Sequence, residues 1–119
     1  MIGDLQGAGM SNSLFKQPSI KELIIPTIKA IEALGNDASN ADIAAKVIEI
    51  ESISKDVAGV LHNVGPKTII EYRLAWARSC LKKFGAIENS GKGRWRLTAV
   101  AYKINPETLN EVYRALHLK

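Results

Sequence analysis

The chain has 119 residues, of which 46% are hydrophobic and 24% are charged, and its formal net charge is +4 at pH 7. These values predict one globular domain with a modest core and exclude a disordered tail, and no apolar run approaches the roughly 18–20 residues that a membrane span needs. Cys80 is the single cysteine, which excludes an internal disulfide, and residues 1–12 carry no basic residue and no long apolar block. A cytoplasmic location is the simplest expectation.

The first 17 residues are rich in glycine, serine and asparagine and show no sustained hydrophobic period. We therefore expect a flexible arm over 1–17 and a folded domain over 18–104. A first helix should begin at Ser19, because Ser19 and Glu22 have the spacing of a capping box. Pro26 should kink this helix or bend its first turn, and Gly35 should end it. Its apolar residues recur at helical spacing: Leu23, Ile24, Ile28, Ile31 and Leu34.

A second helix should open at Ser39, with Asp42 three residues later in its first turn. The apolar stripe of this helix is Ile43, Val47 and Ile50. The hydrophobic period is poor over 52–66, where we expect only a short helical turn. The apolar residues that this turn should bury are Val57, Val60, Leu61 and Val64.

A third helix should start at Gly65 and Pro66, because the missing N–H of a proline is harmless at a helix start, and should end at Gly85. Its buried face repeats at steps of four and three residues through Ile70, Leu74, Ala77, Leu81 and Phe84. Ile69, Trp76 and Cys80 should widen this face, with Trp76 in the core. Arg73 should contact the protein itself rather than DNA. The basic residues that should face outward are Arg78, Lys82 and Lys83.

Two short strands should follow, at 86–88 and 94–97, joined as a hairpin through 89–93. The alternation points Trp95 and Leu97 inward and places Arg94 and Arg96 together on the other face. A last helix is expected in 105–119, where a proline follows an asparagine. Its apolar stripe must pack on this domain, form a homodimer seam, or begin a connection to another domain. The stripe consists of Leu109, Val112, Tyr113 and Leu116.

Residues for catalysis are missing from the sequence. His62, His117 and Cys80 cannot form a Cys/His zinc site, and the Gly91-Lys-Gly93 turn is too short for a phosphate-cradling nucleotide loop. A metal-dependent nuclease of the common restriction fold requires Glu or Gln two residues before a lysine, and that pair does not occur in the chain. We therefore expect no enzymatic activity from these residues, and neither a metal nor a cofactor.

The positive charge is concentrated in one segment. Residues 67–96 contain eight Lys or Arg and two acids, a net charge of +6, whereas the remainder has a net charge of −2. A localised positive patch is typical of a phosphate-binding surface, although a solvated helix face and a soluble basic turn are the alternatives. Recognition helices usually enter the major groove with their N-terminal residues, and an arginine on a hairpin can hold a phosphate or enter a minor groove. The expected contacts with double-stranded DNA are Lys67, Thr68, Tyr72, Arg78, Lys92, Arg94 and Arg96.

Two stretches carry a family resemblance: Tyr72-Arg-Leu-Ala-Trp-Ala-Arg-Ser-Cys-Leu-Lys-Lys-Phe-Gly-Ala-Ile-Glu and Gly93-Arg-Trp-Arg-Leu-Thr98. They resemble the N-terminal domain of Mrr-type restriction endonucleases, whose pattern contains Trp-Ala-Arg, then Leu-Lys-Lys-x-Gly, and closes with Gly-x-Trp-x-Leu-Thr. Leu23-Ile-Ile-Pro26 is similar to the family's first helix, and Gly65-Pro-Lys-Thr68 to its entry into the third. Ala-Val-Ala after Thr98 departs from the family, which has a glycine nearby.

The resemblance covers 19–103 and implies a winged-helix module that binds DNA. In the family this module serves a C-terminal metal-dependent nuclease domain, absent from this chain, in enzymes that restrict methylated foreign DNA. We therefore predict an α+β, mostly α fold, namely a winged helix-turn-helix with a small antiparallel β-hairpin wing and an extra C-terminal helix. The alternative is a stand-alone dimeric transcriptional regulator that reads two half-sites. A winged helix that binds only proteins would instead expose an apolar patch.

Overall fold

The computed structural model describes residues 16–63 and 65–117, so most of the expected N-terminal arm lies outside the described residues. The described part confirms a mostly helical α+β fold with a small antiparallel sheet. Its helices are α1 (Ile24–Ala33), α2 (Asn40–Ile50), α3 (Lys55–Ala58), α4 (Ile69–Phe84) and α5 (Leu109–Tyr113). Its strands are β1 (Ala38–Ser39), β2 (Ile87–Gly91) and β3 (Arg94–Leu97). Short 3₁₀ turns occupy Lys21–Leu23, Ala99–Lys103, Pro106–Thr108 and Arg114–His117.

The first helix begins with the capping box expected from the sequence. The Ser19 N–H donates to Glu22 Oε1 at 2.9 Å, and the Glu22 N–H donates to Ser19 Oγ at 3.1 Å. A 3₁₀ turn follows, and regular α1 starts only at Ile24. Pro26 lies in the first turn of α1, where its missing N–H removes no helical hydrogen bond. The predicted distortion is therefore confined to the helix entry, and Gly35, with φ of 86°, follows the last turn.

Helix α2 opens as predicted, because Ser39 Oγ accepts a hydrogen bond from the Asp42 N–H at 3.1 Å. The short helix α3 is capped in the same way by Ser54. Val57 is buried, but Val60 and Leu61 are 37% and 61% exposed, so the expectation that both are buried is wrong. Helix α3 ends at Ala58, and both side chains lie on the extended segment beyond it. Val64 lies outside the described residues.

Helix α4 starts later than Gly65 and Pro66, which is a correction to the predicted boundary. An antiparallel bridge between Leu61 and Thr68 pairs the residues on either side of this loop, with the His62 N–H donating to the Lys67 carbonyl at 2.8 Å, and Gly65 and Pro66 lie in bends. Thr68 then caps the helix. The predicted buried face is confirmed at Ile70, Leu74, Ala77 and Leu81, and Phe84 is half-buried. Gly85 ends the helix with φ of 94°, a conformation that favours glycine.

The sheet has the order β1-β3-β2, with both strand pairs antiparallel. The predicted hairpin is present as β2 and β3, joined by the two-residue turn Lys92 and Gly93, and a bulge lies between Asn89 and Gly91. Strand β1 was not predicted. It is only two residues long and pairs through Ala38 opposite Trp95, so its sequence shows no alternation. Strand β1 therefore connects the hairpin to the start of α2.

The C-terminal segment packs against α4 within this domain. Val112 is completely buried in the common core, whereas Leu109 and Leu116 are half-buried against it. The expected single helix is instead a series of short turns, with α5 between two 3₁₀ turns. The largest fully buried side chains of the core include Leu23, Ile24, Ile31, Ile43, Ile70, Leu74, Leu81, Ile87 and Val112.

Candidate nucleic-acid interface

The β2–β3 hairpin carries three expected contact residues on its exposed surface. Lys92 lies in the turn, and Arg94 and Arg96 follow at alternating positions of β3. Trp95 is half-buried and Leu97 is buried, so the predicted alternation of β3 is confirmed. The hairpin therefore presents its cations on one face and packs the other against the helices.

Each hairpin arginine has an acidic partner. Arg94 Nε lies 3.0 Å from Asp37 Oδ1, and Arg96 Nε lies 2.7 Å from Glu88 Oε2. Arg94 Nη2 also donates to the Asp37 carbonyl at 3.1 Å. All four side chains are about half-exposed, so these ion pairs contribute little to stability.

Asp37 receives hydrogen bonds from two parts of the hairpin. Ser90 Oγ donates to its carboxylate at 2.8 Å, in addition to the bond from Arg94. The Ser90 bond, followed by the Arg94 bond, lowers the pKa of Asp37 below its ordinary value. Asp37 precedes β1 and lies 53 residues from Ser90. The sequence analysis did not single it out, because no local pattern links residues so far apart.

The amino end of α2 holds the hairpin in place. The Asn40 N–H donates to the Gly93 carbonyl at 3.2 Å, and Trp95 Nε1 donates to Asn40 Oδ1 at 2.7 Å. Lys82, on α4, donates to Asn89 Oδ1 at 3.0 Å and lies 5.6 Å from the centre of the Trp95 ring. The contacts of Asn40 and Trp95 therefore join the hairpin to α2 and α4.

A cleft of about 260 Å³ lies between α2 and the first half of α4. Its walls are Asn40, Ala41, Ala44, Lys67, Glu71 and Arg78. Arg78 was expected to face outward, and that expectation is wrong: the residue is only 8% exposed. Arg78 lies on the edge of α4 that packs toward α2, and its loss of hydration lowers the pKa of the guanidinium. We name this space the α2–α4 cleft.

Thr68 and Tyr72 occupy different surroundings from the other expected contacts. Thr68 is the N-cap of α4: its Oγ1 accepts the Glu71 N–H at 3.1 Å, and its own N–H donates to Glu71 Oε1 at 2.9 Å. Tyr72 lies on the opposite edge of α4, where its ring stacks on His62 with centroids 3.9 Å apart. The structure therefore brings Lys67 and Arg78 together in the cleft beside Asn40, and places Tyr72 elsewhere.

The edge of α4 that carries Tyr72 forms an apolar cleft with the C-terminal segment. Its volume is about 270 Å³, and its walls include Ile20, Trp76, Cys80 and Tyr113. Trp76 is 43% exposed, so its expected place in the core is wrong. Its outward position leaves the ring edge-on to Tyr72, with the two ring centroids 6.4 Å apart.

Two further side chains of α4 have structural contacts. Arg73 Nη1 donates to the Pro18 carbonyl at 2.9 Å, which confirms the expectation that it contacts the protein itself. Cys80 is buried, and the loss of hydration raises the pKa of its thiol. Neither group takes part in the basic surface around the hairpin.

The described part of the chain lacks any cluster of three or more His, Cys, Asp or Glu side chains arranged to hold a metal ion. Within the same residues, no helix has the length and apolar character needed to cross a membrane.

Comparison with known protein families gives one match. The family model described as the Mrr N-terminal domain matches residues 21–107, which include α1 to α4, the sheet and the 3₁₀ turn at Ala99–Lys103. Comparison with curated proteins and with solved structures finds no match.

Proposed function

We propose that this chain, which belongs to the Mrr N-terminal domain family, is a winged-helix module that binds double-stranded DNA. Membership associates the chain with Mrr-type restriction systems. In this proposal α4 enters the major groove, and the β2–β3 hairpin is the wing that follows the adjacent backbone. The module would select or hold the target of a methylation-dependent, Mrr-like restriction endonuclease, and another domain would cut it.

The observation that carries the proposal is a group of basic residues that the hairpin, α4 and the α2–α4 cleft bring together. Its members, which we call the basic face, come from the wing, from α4 and from the residue before α4: Lys67, Arg78, Lys82, Lys92, Arg94 and Arg96. Contacts through Asn40 and Trp95 hold the wing beside the α2–α4 cleft. A surface that combines a helix with a basic hairpin can neutralise phosphates on both sides of a groove.

The topology supports the same proposal. The order is α1, β1, α2, α3, α4, β2, β3, and the sheet order is β1-β3-β2. A long helix followed at once by a β-hairpin is the arrangement in which winged helices present a recognition helix and a wing. Lys67 and Glu71, at the amino end of α4, line a cleft open to solvent, which is the end of a recognition helix that usually contacts bases.

Fluorescence anisotropy of the chain with matched duplexes tests this function. The duplexes would be unmethylated, or methylated at cytosine or adenine, over about 50 to 200 mM salt. We expect a log–log salt slope on the order of −4 to −5, as four to six phosphate contacts give. Tighter binding to methylated duplexes would support target sensing by this domain, and equal binding would support a general DNA anchor. Absence of binding at the lowest salt would overturn the proposal.

A charge-matched control separates the basic face from net charge. Lys29→Gln removes one positive charge from an exposed position of α1, outside the basic face. Lys92→Gln removes one from the wing turn. We expect Lys92→Gln to flatten the salt slope by about 0.9 and Lys29→Gln to leave it unchanged. Equal effects of the two substitutions would contradict a localised interface.

A stand-alone dimeric regulator is the second candidate function. The observation that favours it is the partly exposed aromatic surface beside the C-terminal segment, formed by Trp76, Tyr113 and Tyr72. Leu109, Val112 and Leu116 are packed against the domain, so a dimer would use them only by exchanging C-terminal segments. Sedimentation analysis distinguishes the two: a tight dimer supports the regulator, and a monomer supports the module.

A further inference from the structure

Arg78 is a buried cation without a hydrogen-bond or ion-pair partner among the described residues. It is only 8% exposed, yet it forms no hydrogen bond or ion pair with the described residues. Among the described residues, Gln17 Oε1 is the one buried side-chain nitrogen or oxygen that is fully enclosed and lacks a partner. The guanidinium nitrogens of Arg78 also lack partners but are not fully enclosed, so they reach solvent through the cleft. Its charged group is therefore directed into the α2–α4 cleft.

This position removes most of the hydration of the charged group, and an anion in the cleft would compensate that loss. An arginine remains charged in proteins and carries five N–H donors. Burying an unpaired charge is costly, and the loss of hydration already lowers the pKa of this guanidinium. A partner from outside the chain would restore both the charge balance and the hydrogen bonds.

The other walls of the cleft suit an anion. Asn40 and Ala41 belong to the first turn of α2, an 11-residue helix whose amino end carries the positive end of the helix dipole. Lys67 adds a second cation. Glu71 also lines the cleft, but its Oε1 accepts the Thr68 N–H at 2.9 Å, which holds the carboxylate at the amino end of α4.

The size of the cleft restricts the ligand. Pockets for drug-sized molecules span about 300–1,000 Å³, and this cleft has about 260 Å³. It therefore suits a single phosphate group better than a whole nucleotide. A guanidinium and an ammonium are the side chains that bind phosphate most directly.

We propose that the α2–α4 cleft binds one phosphate of the DNA backbone, held by the Arg78 guanidinium and the Lys67 ammonium at the amino end of α2. This inference rests on the proposed function, because it assigns one contact of the same interface. The phosphate would lie next to Asn40, which also holds the wing. The site thus determines how the wing and α4 are aligned along the backbone.

Arg78→Met tests the site because it removes the charge and keeps an apolar side chain of comparable length. Replacing a buried ion with a well-packed hydrophobic residue is often neutral or stabilising, so the variant should melt at the wild-type temperature or above. We expect its DNA affinity to fall on the order of tenfold and its salt slope to flatten by about 1. A folded variant with unchanged affinity and slope would overturn the inference while leaving the proposed function intact.

Glu71→Gln is the matched variant with the opposite expected effect. Glutamine still accepts the Thr68 N–H in a capping box, so the helix start is preserved. Removing the negative charge from the cleft should strengthen DNA binding several-fold. Weaker binding, with the fold intact, would contradict a phosphate in this cleft.

A titration with inorganic phosphate tests the site without DNA. Side-chain NMR would follow the Nε–H signals of Arg78, Arg94 and Arg96 in phosphate, against chloride at equal ionic strength. A saturable shift confined to Arg78 supports a phosphate site in the cleft; if the chain then binds no duplex, the phosphate site stands, and both its assignment to DNA and the proposed function fail. No shift at Arg78, or equal shifts at all three arginines, would overturn the inference.

Discussion

Replacing both wing arginines with alanine is the most direct test of the wing. Arg94 and Arg96 lie on the same face of β3, with side chains 45% and 52% exposed. Each phosphate contact contributes about 0.9 to the log–log salt slope. We therefore expect Arg94→Ala with Arg96→Ala to flatten the slope by about 1.8. At 0.15 M salt this corresponds to a loss of affinity of roughly 30-fold, because each contact releases a counterion into that concentration.

The two ion pairs make the slope more informative than the affinity. Each arginine must leave its carboxylate, at 3.0 Å from Asp37 or 2.7 Å from Glu88, before it can bind a phosphate. An exposed pair contributes about 0–1 kcal/mol, which offsets the affinity gained per arginine by up to about fivefold. The loss of affinity can thus be much smaller than 30-fold, whereas the number of phosphates neutralised still falls by two.

The assay is anisotropy over a salt series with at least two unrelated duplexes, and circular dichroism melts to verify the fold. The loss should be equal for every sequence, because phosphate contacts carry no base information. Glu88→Gln serves as the control, since it releases Arg96 and should strengthen binding. An unchanged slope in a folded double variant would refute the wing assignment.

Three further predictions concern single groups. An NMR titration should give Asp37 a carboxyl pKa below the ordinary value of about 3.9. The contribution of this group to stability is therefore present above that pH and is lost as the pH falls through the lowered pKa. Ser90→Ala should raise the pKa of Asp37, and an unchanged pKa would contradict the Ser90 hydrogen bond. Thr68→Ala should lower the free energy of unfolding by about 1 kcal/mol in urea, and a change in the DNA salt slope would show that its hydroxyl does more than cap α4. Cys80 should react slowly with thiol reagents in the native state, and rapid labelling would refute its burial.

The features predicted from the sequence are those determined by neighbouring residues. The Ser19 capping box, the Ser39 cap and the Gly85 helix end each depend on residues within one helical turn, so the sequence contains all the necessary information. The same holds for the alternation of Trp95 and Leu97 in β3. Periodicity also predicted the buried face of α4, because a 16-residue helix repeats its pattern several times.

The errors arise where a distant segment decides the outcome. Arg78 lies at the border of the apolar stripe of α4, and only the packing of α2 makes it buried. Trp76 lies at the other border and remains partly exposed, because the C-terminal segment forms one wall of a cleft instead of covering the ring. Asp37 reaches Arg94 across 57 residues of sequence. Position on a helical wheel predicts the direction of a side chain, but it does not predict how much of that side chain a neighbouring element covers.

These long-range contacts also change the meaning of the net charge of +6 over 67–96. Asp37, from outside this segment, pairs with Arg94, and Glu88 pairs with Arg96. Arg73 is held by backbone carbonyls. Among the described residues of the segment, five cations form neither an ion pair nor a hydrogen bond to a backbone carbonyl: Lys67, Arg78, Lys82, Lys83 and Lys92.

If all five bound phosphates, including Lys83 outside the basic face, the salt slope would be about −4.5, within the range expected for the whole chain. That slope can therefore be reached with both wing ion pairs closed. A steeper slope requires the pairs to open, because no other cation of the segment remains to neutralise a phosphate. Asp37→Asn and Glu88→Gln should then steepen the slope if the pairs stay closed in the wild-type complex, and leave it unchanged if DNA already displaces the carboxylates. The acids beside the wing would in the first case limit how many phosphates the module neutralises, and in the second only weaken each contact.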